Sequence, residues 1–141
     1  YQDITTNLER IGDMLLNIIH FAKETDLSQS RFTESREQIS KMLDIVSEML
    51  KNSISSFSNE DTVIAYKILE EDDKVDELFR QIKISLQKTF ANEKLSESEI
   101  RNMMNVDTIS HNLERIGDST TNIAEATIYL TEGIDIRHGN K

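Results

Sequence analysis

Asn7-Leu8-Glu9-Arg10-Ile11-Gly12-Asp13 recurs letter for letter as Asn112-Leu113-Glu114-Arg115-Ile116-Gly117-Asp118, 105 positions further along a chain of 141 residues. The match resumes at Asn17-Ile18 and Asn122-Ile123. An identity of that length in so short a chain marks an internal duplication, the signature of a repeat architecture. Around the first copy, Ile4, Leu8, Ile11, Leu15, Ile18 and Ala22 step three or four residues at a time, the spacing of one helix face. Each copy holds a Glu and an Asp four positions apart. At about 100° per residue, that spacing stacks both carboxylates on one side of a helix.

The same period extends over the rest of the chain. It predicts helices over residues 3–23, over 34–56 with Thr33 as N-cap, from the Ser58-Asn59-Glu60-Asp61 turn to residue 90, and from a Ser96-x-x-Glu99 capping box to residue 131, with Gly133 closing the last. Residues 25–30 are polar and read as a linker. No stretch alternates with the period of a strand. There is no proline and there are four glycines, so little interrupts helices. The fold class is therefore all-α, an elongated antiparallel helix bundle. The repeat divides it into residues 1–25, the last helix of a preceding repeat; residues 26–33, a linker; and residues 34–141, a complete three-helix repeat. The second copy of the motif closes a trio of helices, whereas the first stands alone, so symmetry predicts two further helices before Tyr1. An orphan amphipathic helix exposes its stripe, and the first helix is expected to pack on the other three or on a second chain.

Composition excludes several functions. Sixteen basic against twenty-six acidic residues give a net charge of −10, a field opposite to the basic footprint of nucleic-acid binding. It favours cations or a basic partner surface. Cysteine is absent, which removes disulfides and thiolate chemistry and fits a reducing compartment. No apolar run approaches the ~20 residues of a membrane span. No Ser/His/Asp order, glycine-rich phosphate cradle or HExxH pattern supports catalysis.

The acids are the candidate site. On a helical projection the stripe of the first helix centres on Leu8 and Leu15, and Glu9 and Asp13 fall roughly 150° away, facing solvent. Glu114 and Asp118 are placed likewise on the last helix, with Asn17 and Asn122 continuing the two rows. Asp72 and Asp76 form a third pair at the flank of an apolar face, beside Val75 and Phe79. Carboxylates at this spacing repel unless a cation bridges them. Oxygen ligands suit Mg²⁺, Ca²⁺ and Mn²⁺, and carboxylate-rich helical sites also take iron. His111, three residues before Glu114, is either a further ligand or a solvated histidine. The competing account is that the acids merely solubilise the surface, with Arg10 and Arg115 neutralising their neighbours. Gly12 and Gly117 mark close helix packing or room beside the acids.

Leu-Glu-Arg-Ile-Gly-Asp, Glu71-Asp72-Asp73-Lys74-Val75-Asp76 and Asp135-Ile136-Arg137-His138 resemble the PhoU family of phosphate-signalling proteins over essentially the whole chain. The resemblance implies two three-helix repeats, of which this sequence holds the last four helices. It implies a regulatory adaptor with no enzymatic activity that represses the phosphate regulon. Partners would be the ATP-binding subunit of the phosphate transporter and the phosphate-sensing histidine kinase, with no nucleic acid and no membrane insertion, and with a homodimer compatible. It places such a protein in the cytoplasm, at the inner face of the membrane. It implies metal ions (Fe, Mn, Mg or Zn) on E/D-x-x-x-D motifs. The matching positions are Asp72 and Asp76, Glu114 and Asp118, and Glu9 and Asp13, the last two forming half a site. The alternatives are a PhoU-like cytoplasmic domain of a sodium/phosphate cotransporter and a metal-dependent phosphohydrolase on a helical bundle.

Overall fold

The computed structural model describes residues 2–92 and 94–133. The Asp135-Ile136-Arg137-His138 ending lies outside these residues. Four α-helices follow one another: α1 (Gln2–Lys23), α2 (Thr33–Asn59), α3 (Thr62–Asn92) and α4 (Glu97–Glu132), with a single 3-10 turn at Ser30–Phe32 between α1 and α2. No strand occurs among the described residues.

The helix ends follow local chemistry. Ser96 caps α4 with a reciprocal capping box, its hydroxyl accepting from the Glu99 N–H while the Glu99 carboxylate accepts from the Ser96 N–H. Gly133 closes α4 in the left-handed conformation at φ 74°, where a side chain would be strained. Asp61 accepts from the Ile64 N–H at the start of α3, and α2 ends on Glu60 in the left-handed region. Thr33 is not an N-cap. The preceding 3-10 turn already winds the chain, so Thr33 is the first residue of α2, and its N-cap position, Phe32, carries no side-chain cap.

Tyr66 reaches Glu132 and Lys83 reaches Asp107, so α3 and α4 run antiparallel. Asn122 contacts Asn7 and Asp26 contacts Asn102, so α1 and α4 are antiparallel too. The four helices thus alternate up and down. α4 is the hub. It packs against α1 on one side and against α2 and α3 on the others. Its enclosure is visible in the burial of polar residues alongside apolar ones, with Asn105, Ser110, Asn112, Ser119, Thr120 and Thr127 all inside. The core comprises Met42, Val46 and Met49 of α2, Ile68, Val75 and Ile82 of α3, and Val106, Leu113, Ile116, Ile123 and Ile128 of α4. Met103 is buried and Met104 exposed, the division expected of neighbours on one helix.

α1 packs on the bundle through Ile4, Ile11 and Ile18 of the expected stripe, but not through its centre at Leu8 and Leu15. Those two residues are 40% and 37% exposed, and Leu16 and Ile19 more so. The buried side is Asn7 and Ile11, flanked by the partly covered Ile4, Met14, Ile18 and Phe21. α1 is apolar over more of its circumference than one neighbour covers. The partner helix chooses the sector that is buried, and Asn7, with a polar contact waiting on α4, is drawn into it.

Phe32, 1% exposed, is the anchor that the periodicity of the flanking helices does not show. The 3-10 turn aims it into the core and fixes the α1–α2 connection. Phe32→Ala is expected to lower stability by about 3–5 kcal/mol, read as a shift of the urea unfolding midpoint at unchanged slope.

Candidate metal centre

α3 and α4 pair in antiparallel register. A methyl group at Gly117 would lie 3.5 Å from Val75 Cγ1 and 3.5 Å from Asp72 Oδ1. Gly117 therefore lies at the α3–α4 contact, where a methyl group would sit in ordinary van der Waals contact. Gly12 lies at no such contact, since nothing lies within 4 Å of the same position on α1. The contact at Gly117 brings the rows on the two helices together. Asp72 and Asp76 face Glu114 and Asp118 across the seam, each acting electrostatically on the others.

The four acids are crowded and partly dry. Burial, first, and then the charges of Asp76, Asp118, Asp73 and Glu125 push Asp72 up to about 6. Burial, a hydrogen bond to Asp118 and the charges of Asp118, Asp76 and Asp72 push Glu114 up to about 7. Asp76 is raised as well, by burial and then by Asp118 and Asp73. The outward orientation expected for the second copy thus holds for Asp118, which is exposed, but not fully for Glu114, which is half-covered. The cause is α3, which roofs one flank of α4. Asp72 Oδ1 is buried and accepts no hydrogen bond. Orphaned buried acceptors are rare in native proteins.

Glu9 and Asp13 do not join this group. Both are exposed on α1, which packs on α4, and only Asp13 borders a hollow shared with one of the four, Asp118. Glu125 is the acid that the motif reading missed. It bears on Asp72, and its position seven residues after Asp118 was the available signal, since that spacing stays on one helix face. His111 is engaged elsewhere. Its Nε2 is 2.6 Å from Lys83 Nζ, and its ring stands edge-on to Phe79 with centroids 4.9 Å apart. An ammonium can only donate, so Nε2 accepts, and the lone pair that a metal would need is in use. Lys83 also binds Asp107 Oδ1 at 2.6 Å, closing the seam at that end.

The donor types are those a hard cation takes. Four carboxylates from two helices, one with an unpartnered buried oxygen, supply the oxygen ligands that Mg²⁺, Mn²⁺, Ca²⁺ or iron would need. Among the described residues no three His, Cys, Asp or Glu side chains are already drawn around one point suited to an ion. In this conformation the seam holds mutually repelling carboxyl groups, with the pKa values of Asp72, Asp76 and Glu114 all raised.

Comparison with known proteins agrees with this architecture. Residues 39–127 match the family profile described as the PhoU domain. A PhoU homologue of Aquifex aeolicus, described as a phosphate-specific transport system accessory protein, is 37% identical over 135 residues, 96% of this chain and 59% of the relative. A homologue of the same description from Thermotoga maritima is 35% identical over 118 residues, 84% of this chain and 48% of the relative. One from Clostridium acetobutylicum is 32% identical over 92% of this chain and 57% of its own length. The fold and site define an all-helical bundle with a carboxylate-lined seam. The chain belongs to the PhoU family, and it spans about half to three-fifths of the length of these relatives.

Raised carboxyl pKa values make a stability prediction for metal-free protein. Between about pH 4 and 7 the folded chain holds protons on Asp72 and Glu114 that the unfolded chain releases. Their contribution is therefore present at low pH and lost as pH rises through 6–7. In chelator, the urea midpoint is expected to fall from pH 5 to pH 8, and Glu114→Gln is expected to flatten the fall. A midpoint that rises over this range, or is flat in both proteins, contradicts the crowding.

Proposed function

We propose that this chain is part of a non-enzymatic regulatory adaptor of phosphate uptake, and that it carries a cation on the α3–α4 seam. The observation that carries the reading is the convergence of Asp72, Asp76, Glu114 and Asp118, with an unpartnered Asp72 oxygen among them. Family membership supports the regulatory half. The relatives are described as accessory proteins of a phosphate-specific transport system, and an accessory role calls for docking surfaces rather than a reaction pocket. The seam has no apolar cavity around its acids in which a substrate would be shut away from water.

A cation on the seam would lift the repulsion between the two rows and tie α3 to α4. Asp72 and Asp76 would serve it from one helix, Glu114 and Asp118 from the other. Asp76 and Asp118 are the exposed pair, and exchange would proceed from their side. Iron, Mn²⁺, Mg²⁺ and Zn²⁺ are the candidate ions, the donor set favouring the oxygen-seeking ones. Glu9 and Asp13 lack a facing acidic row in this chain and hold no complete site. Docking to the transporter's ATP-binding subunit and to the sensor kinase, at the inner face of the membrane, is the reading for the partners. No helix among the described residues is long and apolar enough to cross a membrane.

Metal analysis of protein purified without chelator tests the site. Wild type is expected to retain bound metal, the Glu114→Ala/Asp118→Ala protein to lose most of it, and the Glu9→Ala/Asp13→Ala protein to keep it. Equal metal content in wild type and the Glu114→Ala/Asp118→Ala protein would falsify the assignment.

A further inference from the structure

The seam between α3 and α4 uses the Glu and Asp of the repeated motif and leaves its Arg unexplained. Arg10 and Arg115 are the same position in the two copies, and the structure brings them into one cleft. Between α1 and α4 lies an open hollow of about 520 Å³, lined by Arg10, Asp13, Met14 and Asn17 on one side and Arg115, Asp118, Ser119 and Asn122 on the other. Every lining residue of α1 is matched by its counterpart 105 positions later on α4. Because the two helices are antiparallel, the copies of the motif face each other across a local pseudo-two-fold axis, and that axis passes through the hollow. Three of the four matched pairs are chemically identical: two arginines, two aspartates and two asparagines.

The arginines do not neutralise their acidic neighbours. Among the described residues neither Arg10 nor Arg115 makes an ion pair or a side-chain hydrogen bond. Two free guanidinium forks on a shared hollow are an oxyanion receptor, because each fork matches a pair of oxygens. Symmetry narrows the ligand. A tetrahedral oxyanion has two-fold axes of its own, each relating one pair of oxygens to the other, so one pair can face Arg10 and the other Arg115. Asn17 and Asn122 bring amide donors beside them, and only one contact, Asn122 Nδ2 to Asn7 Oδ1 at 3.4 Å, draws on these.

The aspartates narrow it further. Asp13 and Asp118 repel a bare anion, and together they balance the two arginines. A carboxylate can only accept a hydrogen bond. It therefore suits an oxyanion that still carries a proton, which inorganic phosphate does at neutral pH and sulfate does not. We propose that the α1–α4 cleft binds inorganic phosphate, with Arg10 and Arg115 each gripping two of its oxygens and an aspartate accepting from its O–H. Asp118 stands between this cleft and the acids of the α3–α4 seam, but Arg10, Arg115 and Asn17 take no part in the seam. The two sites share Asp118 alone, so phosphate binding through Arg10, Arg115 and Asp13 is tested in metal-free protein.

Calorimetric titration of the full chain, stripped of metal and kept in chelator, with inorganic phosphate tests it. Saturable binding is expected for wild type. Arg10→Ala and Arg115→Ala should each weaken it about tenfold or more, the loss of a charge-assisted pair. Arg10→Lys/Arg115→Lys should also bind more weakly, since lysine keeps the charge without the fork. Sulfate should bind at least about tenfold more weakly than phosphate, for want of the proton the aspartates accept. Both arginines are exposed, so the variants should fold, and an unchanged helical circular dichroism spectrum verifies it. No saturable binding up to about 10 mM phosphate, or binding that survives Arg10→Ala/Arg115→Ala, overturns the site. Sulfate bound as tightly as phosphate overturns the identity of the ligand.

Discussion

The enclosure of α4 is the constraint from which the rest follows. A helix covered on one side buries a stripe and leaves its polar residues to water. α4 is covered by α1, α2 and α3, and keeps only a narrow wet stripe through Met104, His111, Arg115, Asp118 and Asn122. Its motif therefore projects into two seams at once. Toward α3 it presents Glu114 and Asp118, and toward α1 it presents Arg115, Ser119 and Asn122. Gly117 sits where α3 meets α4, beside Asp72 and Val75, and Asp72 and Asp76 complete the first seam.

That arrangement conflicts with the ordinary rules of packing. Like charges facing one another across adjacent helices, partly out of water, cost stability. The raised pKa values of Asp72 and Glu114 express this cost, and so does the unpartnered Asp72 oxygen. Elsewhere most caps, the periodic apolar faces and a continuous core agree, although Asn105 Nδ2 is also buried without a hydrogen-bond partner. A local violation in a mostly consistent chain is the mark of a functional site. On the proposed reading the partner is a cation, since among the described residues no lysine or arginine forms an ion pair with Asp72, Asp76, Glu114 or Asp118. Lys83, the nearest seam cation, is spent on Asp107 and His111.

Much of this was legible in the sequence. Helix number, order and ends followed from apolar spacing and from Ser96, Glu99 and Gly133, because those signals are local. Asp72, Asp76, Glu114 and Asp118 were legible as candidates because the duplication singled out one pair and equal spacing the other. What escaped has a common cause. The buried sector of α1, the half-covered state of Glu114, the insertion of Phe32 and the contribution of Glu125 all depend on which helix lies beside which. The polar residues inside α4, such as Asn105, Asn112 and Thr120, disguise its burial from any count of apolar positions. The arginines were misread for the same reason. Beside Glu9 and Glu114 in sequence they look like local counterions, while in space they turn to the cleft that the two copies enclose.

The proposed role of the four seam carboxylates is to ligate a cation rather than merely to crowd a surface. Crystals grown with Mn²⁺ and measured for anomalous scattering test it directly. The account predicts a peak within about 2.5 Å of oxygens from Asp72, Asp76, Glu114 and Asp118, drawn inward from their positions in the metal-free chain. A map with no peak on the seam, and the four side chains left apart, would contradict it.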